Sequence, residues 1–60
     1  MSVRHVEDEI VRLQRLRLDP SIADIVEEAG EVLAEGRGLE AEALVEKAAA
    51  LHRLRMKLAS

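Results

Sequence analysis

The sequence predicts an all-α fold: a three-helix up-down-up bundle over residues 1–60 that associates into a helical homo-oligomer. Apolar residues recur at spacings of three and four through three segments, which is the pattern of amphipathic helices. Two connections separate the segments, one before Pro20 and one around Gly36 and Gly38. Aromatic residues are absent, so Leu, Val, Ile and Ala must form the core. From these signals we predict helices over about 2–18, 20–35 and 39–59.

The first helix is predicted to run from Ser2, its N-cap, to Leu18. The acidic residues at 7–9 precede the arginines at 12, 15 and 17, an order that suits the helix dipole. Its apolar residues are Val3, Val6, Ile10, Val11, Leu13, Leu16 and Leu18. They occupy more of the helix perimeter than one partner helix would cover, which indicates a further contact.

The second helix carries the clearest start signal in the chain. Asp19 can accept from a free backbone N–H, and Pro20 suits the first helical position. Ser21 and Asp24 also match the spacing of a capping box, a weaker signal. The solvent side of this helix is acidic, and its apolar residues are Ile22, Ile25, Val26, Ala29, Val32 and Leu33.

Three glycines need an explanation. Gly36 can take the left-handed conformation that closes the second helix, and Gly38 stops the helix from continuing. Gly30 lies inside the helix, where glycine costs about 1 kcal/mol relative to alanine. Either another helix approaches too closely for a Cβ, or Gly30 is a tolerated weakness; we favour the close approach.

The third helix again places acids first and bases last, from Glu42 to Lys57. Its stripe consists of Leu44, Ala48, Leu51, either Leu54 or Arg55, and Leu58, and it is widened by Ala41 and Val45. Alanines at 48–50 leave little side-chain bulk. They either accept a bulkier partner helix or raise helix propensity, and we favour the second explanation.

Composition argues against several classes of function. The net charge is −3, with 9 basic and 12 acidic residues, and no aromatic ring is available for base stacking, so we expect no nucleic-acid partner. No apolar run could span a bilayer and no signal peptide is evident, which predicts a soluble cytosolic protein. Without cysteine, disulfides and thiolate metal sites are absent.

Catalytic machinery is also missing from the sequence. The serines lie at a terminus or a helix start, at 2, 21 and 60. No nucleophile elbow, phosphate-binding loop or metal-binding motif occurs. We therefore predict a protein that is not an enzyme and has no cofactor or small-molecule substrate.

His5 and His52 are the residues that could bind a metal. His5 lies one turn before Glu9, a spacing that can hold an ion. In a bundle the two histidines would differ in height by roughly 17 Å, so a shared metal would have to form across a subunit interface. A pH-sensing interface is a further option, and a plain surface histidine is the simplest one.

The agreement of caps, dipole charges and short loops resembles that of computationally designed helical bundles. This resemblance implies a structural, self-assembling homo-oligomer with closed symmetry. The alternative is a small natural heteromeric binding module, antitoxin-like or an adaptor, that uses the same apolar surface. Metal-dependent assembly through His5 or His52 is a third option.

Overall fold

The computed structural model describes residues 3–59 and confirms the predicted all-α, three-helix fold. The helices are α1 (Val3–Gln14), α2 (Pro20–Ala34) and α3 (Gly38–Ala59). No strand occurs within this described range. The predicted N-cap Ser2 and the side chain of Val3 lie outside the described part of the chain.

The end of α1 differs from the prediction, because the helix stops at Gln14 and not at Leu18. The N–H groups of Arg15 and Leu16 donate to carbonyls three residues earlier, at 3.2 and 3.1 Å, which tightens the last turn. Residues 15–19 then form the connection, and Leu18 packs against the core. Neither glycine nor proline marks this end, so the sequence prediction carried the helix too far.

The start of α2 follows the Asp19–Pro20 signal, which the structure confirms. Asp19 has φ −55° and ψ 142°, outside the helical region, and Pro20 takes the first helical position. The Asp19 carboxylate accepts from the backbone N–H of Ser21 at 3.2 Å and also from its hydroxyl. The cap therefore satisfies a backbone donor that the helix itself leaves without a partner.

At the other end of α2, Gly36 has φ 83° and reverses the chain, as predicted. Its N–H donates to the carbonyl of Leu33 at 3.0 Å, and the N–H of Arg37 donates to that of Val32 at 3.1 Å. These two bonds are those of a Schellman motif. α3 begins at Gly38, one residue earlier than predicted.

The core lies where the three helices meet, and α2 and α3 form its most extensive contact. The start of α2 lies beside the end of α3, so these two helices are antiparallel. The buried residues are Val6, Ile10, Leu13, Ile22, Val26, Ala29, Ala41, Val45 and Ala48. Ile22 and Val26 are the largest side chains that are fully buried.

The structure also contradicts the prediction made for Gly30. A Cβ built on Gly30 would meet no atom within 4 Å outside the helix's own backbone and its chain neighbours. The predicted close approach of another helix is therefore wrong, because neither neighbouring helix reaches this flank of α2. Gly30 is the tolerated weakness that was the other option.

Candidate interaction surfaces

The last two turns of α3 are poorly covered by the other helices. α3 has 22 residues, whereas α2 has 15 and α1 has 12. Residues 53–59 are all exposed. Among them Leu54, Met56 and Leu58 expose 53%, 60% and 80% of their surface, and we call these three residues the apolar end.

An open groove of about 650 Å³ separates the apolar end from the start of α2. Ile22, Leu51 and His52 line it on the core side. Across it, the Arg55 Nη1 lies 3.4 Å from the Asp19 Oδ1. The hydroxyl and N–H of Ser21, with the charge of Arg55, lower the pKa of the Asp19 carboxyl.

Positive charge is concentrated around this groove and the chain segments that meet there. The basic residues of the last part of α1, the first connection and the last part of α3 are Arg12, Arg15, Arg17, Arg53, Arg55 and Lys57. Arg17 and Arg55 line the groove directly. A helix that packs on the apolar end would therefore meet cations at its margins.

A second open groove, the α1–α3 groove, has a volume of about 480 Å³. Its apolar lining comes from Val6, Val45, Ala49 and Ala50. Its polar and charged lining comes from His5, Glu9, Glu42, Glu46 and Arg53. An acidic groove with small apolar side chains at its centre can accept a helix that carries cations.

The connection between α2 and α3 lies at the opposite end of these two helices. The Arg37 Nη1 donates to the Glu35 Oε1 at 3.2 Å, and Nη2 pairs with Glu40. The bonds to Glu40 and then Glu35 raise the pKa of the Arg37 guanidinium. Leu39, beside this cluster, is 85% exposed.

The two histidines lie on different surfaces. His5 is exposed and lines the α1–α3 groove, whereas His52 is half-buried and lines the groove near the apolar end. Within residues 3–59, no group of three His, Cys, Asp or Glu side chains could hold a metal ion.

The predicted core or interface residues fall into three groups by exposure. The first group is buried and forms part of the core. Those that are partly buried against it are Leu18, Ile25, Val32, Leu33, Leu44 and Leu51. Val11, Leu16, Leu54 and Leu58 are exposed, and Gly30 is half-buried in open space. The prediction omitted Leu39 and Met56 because neither follows the apolar spacing of the core stripe.

No helix among the described residues is long and apolar enough to cross a membrane. In comparisons with known proteins, no family model, curated protein or solved structure matches the chain.

Proposed function

We propose that this chain is a structural protein that acts by associating with further copies of itself and catalyses no reaction. The exposure of large apolar side chains on α3 and α1 carries this proposal: Leu54, Met56 and Leu58 at the apolar end, and Val11 on α1. Exposed apolar surface of this kind usually marks an association surface. Burial of a Leu or Met side chain contributes about 1.5–3 kcal/mol.

The small core supports the same proposal. Ala29, Ala41 and Ala48 are fully buried, but an alanine side chain removes little apolar surface from water. A chain of 60 residues buries only about 60% of its unfolded surface, so an isolated copy has limited stability. Association adds buried surface that one copy lacks.

We also propose that the chain is a designed protein, as its resemblance to designed helical bundles implies. The Asp19 cap and the Schellman motif at Gly36 support it, since both combine a standard sequence signal with the expected backbone geometry. The purpose of such a protein would be to fold and to assemble into an oligomer with closed symmetry.

The test is the absolute mass in solution, measured by light scattering with refractive-index detection because the chain has no Trp or Tyr. The measurement covers a hundredfold range of concentration, with and without a chelator. We expect a defined multiple of 6.7 kDa that the chelator does not change. A monomer at every concentration would overturn the proposal, and a mass that falls with chelator would favour assembly through His5 or His52.

The second candidate is a heteromeric binding module, and the cations around the apolar end favour it. If the apolar ends of two copies met each other directly, Arg17 and Arg55 would face like charges, whereas an apolar end that met a different surface of another copy would avoid this repulsion. An acidic amphipathic helix from another protein would meet opposite charges there. A monomer that binds such an acidic helical peptide, and loses binding when Leu58→Glu is introduced, would support this candidate.

A further inference from the structure

We infer that two copies pair through α3, antiparallel and related by a two-fold axis that passes between Ala49 and Ala50, with each α3 in the α1–α3 groove of the other copy. The inference rests on the proposed self-association and names its geometry. It comes from the order of charges on one face of α3, together with the open groove beside that face.

The centre of this face is small. Ala49 is half-buried, Ala50 is exposed, and both line the α1–α3 groove. Glu46 precedes this pair by one helical turn and Arg53 follows it by one turn, so all four share a face. Small side chains at a crossing point let two helices approach to about 8 Å, the lower limit of usual interaxial distances.

The charges on this face reverse sign about its centre. Glu46 and Arg53 are equally far along the chain from the point between Ala49 and Ala50. A two-fold axis through that point therefore places Glu46 of each copy opposite Arg53 of the other copy. Both side chains are exposed, and neither forms a salt bridge within the described part of the chain.

A second pair repeats the relation one turn further out. Glu42 and Lys57 are also equally far from the centre. The same axis places Glu42 of each copy opposite Lys57 of the other copy, and Glu9 of α1 lies beside this acidic part of the groove. Four opposite-charge contacts then arise from one symmetry operation, because each of the two pairs occurs twice.

Two other surfaces of the described residues lack this self-complementarity. The outer side of α2 carries only acids, Asp24, Glu27, Glu28 and Glu31, so two such sides would repel each other. The apolar end is bordered by cations, as shown above. The Glu42–Lys57 face of α3, by contrast, lies beside a groove and carries charges that match those of a second copy in reverse order.

Charge reversal on this face tests the pairing. The single variants Glu46→Arg and Arg53→Glu each place like charges opposite each other, and we expect each to raise the dimer Kd at least about tenfold. The double variant restores opposite charges across the axis and should return the Kd to within about threefold of the original. Glu31→Arg on α2 is the matched control and should leave the Kd unchanged.

A bulky charged side chain at the centre gives an independent test. Ala50→Arg places two arginines at the axis, so we expect a monomer at concentrations where the original chain is a dimer. Ala50 is exposed, and arginine is a good helix former, so helix content by far-UV circular dichroism should be retained. Ala34→Arg, at an exposed position of α2, is the size-matched control and should stay dimeric.

The outcomes separate the two proposals. A monomeric original chain would overturn self-association and the pairing together. A trimer, or a dimer that neither the charge reversals nor Ala50→Arg weakens, would overturn only the pairing and leave self-association in place. A dimer that weakens in both single variants and recovers in the double variant would support the two-fold arrangement.

Discussion

α2 and α3 build the same core with side chains of different size. α2 contributes Ile22 and Val26, which are each 2% exposed, and Ala29, whereas α3 contributes two alanines and Val45, with Leu44 and Leu51 partly buried beside them. The fully enclosed side chains of α3 are therefore smaller than those of α2. From this difference we expect the loss of a large side chain to cost more stability on α2 than on the exposed part of α3.

The largest expected effect is the loss of a large side chain from α2. Ile22→Ala removes a fully buried side chain and should lower the free energy of unfolding by about 2–5 kcal/mol. Denaturant unfolding at a fixed chain concentration measures it. Leu39→Ala on α3 is the comparison, and we expect a change below about 0.5 kcal/mol because Leu39 is 85% exposed and lies outside the apolar end. Equal losses would remove the contrast between the two helices.

A larger side chain in place of a buried alanine of α3 should destabilise the fold. Ala48 is fully buried in the core formed by the three helices. Ala48→Leu should lower the free energy of unfolding by about 1–3 kcal/mol, since the added atoms force α2 and α3 apart. Ala23→Leu, at an exposed position of α2, provides the control. A stabilised Ala48→Leu variant would show that the α2–α3 contact is not close-packed.

Replacing Gly30 in α2 and Gly36 in the connection that follows it should change the stability of the fold in opposite directions. Gly30→Ala should stabilise the fold by about 1 kcal/mol, because the new Cβ meets open space and alanine favours the helix. Gly36→Ala should destabilise it by about 1–2 kcal/mol, because φ is 83° there. Thermal unfolding of both variants at one concentration measures the pair, and a destabilised Gly30→Ala variant would indicate that a second chain approaches this flank.

The smallest effect concerns the cap of α2 and its link to α3. The pKa of Asp19 is lowered from 3.8, so its charged form stabilises the folded state above that pH. This contribution is lost as the pH falls through the lowered pKa of the folded state. Asp19→Asn keeps a capping side chain but loses the attraction to Arg55. Its Tm should be below that of the original chain near neutral pH, and the difference should shrink below pH 3.8; a constant difference would contradict the charge argument.

The sequence was sufficient to predict those features of the fold that depend only on neighbouring residues. The Asp19–Pro20 start and the Gly36 reversal follow from side-chain capping and from backbone freedom, both of which involve only neighbouring residues. The apolar spacing likewise identified the buried side of α2. These features do not depend on how the helices are arranged.

The remaining features depend on that arrangement and could not be predicted. α1 ends at Gln14 because Leu18 has to return to the core, and no residue type marks that end. Leu54 and Leu58 continue the apolar stripe of α3, but α1 and α2 are too short to cover them. The reversed charge order from Glu42 to Lys57 is visible in the sequence, although its meaning requires the groove that the fold places beside it.

The length of α3 also determines how the protein should melt. Its last two turns are exposed, so their helicity depends largely on the low intrinsic stability of a helix end. These turns should open locally at a small free-energy cost, and their amide hydrogens should exchange faster than those near Ala48. On heating, helix content would decline gradually before the cooperative transition of the core. Circular dichroism and calorimetry would then report different midpoints even though the core itself unfolds in a single step.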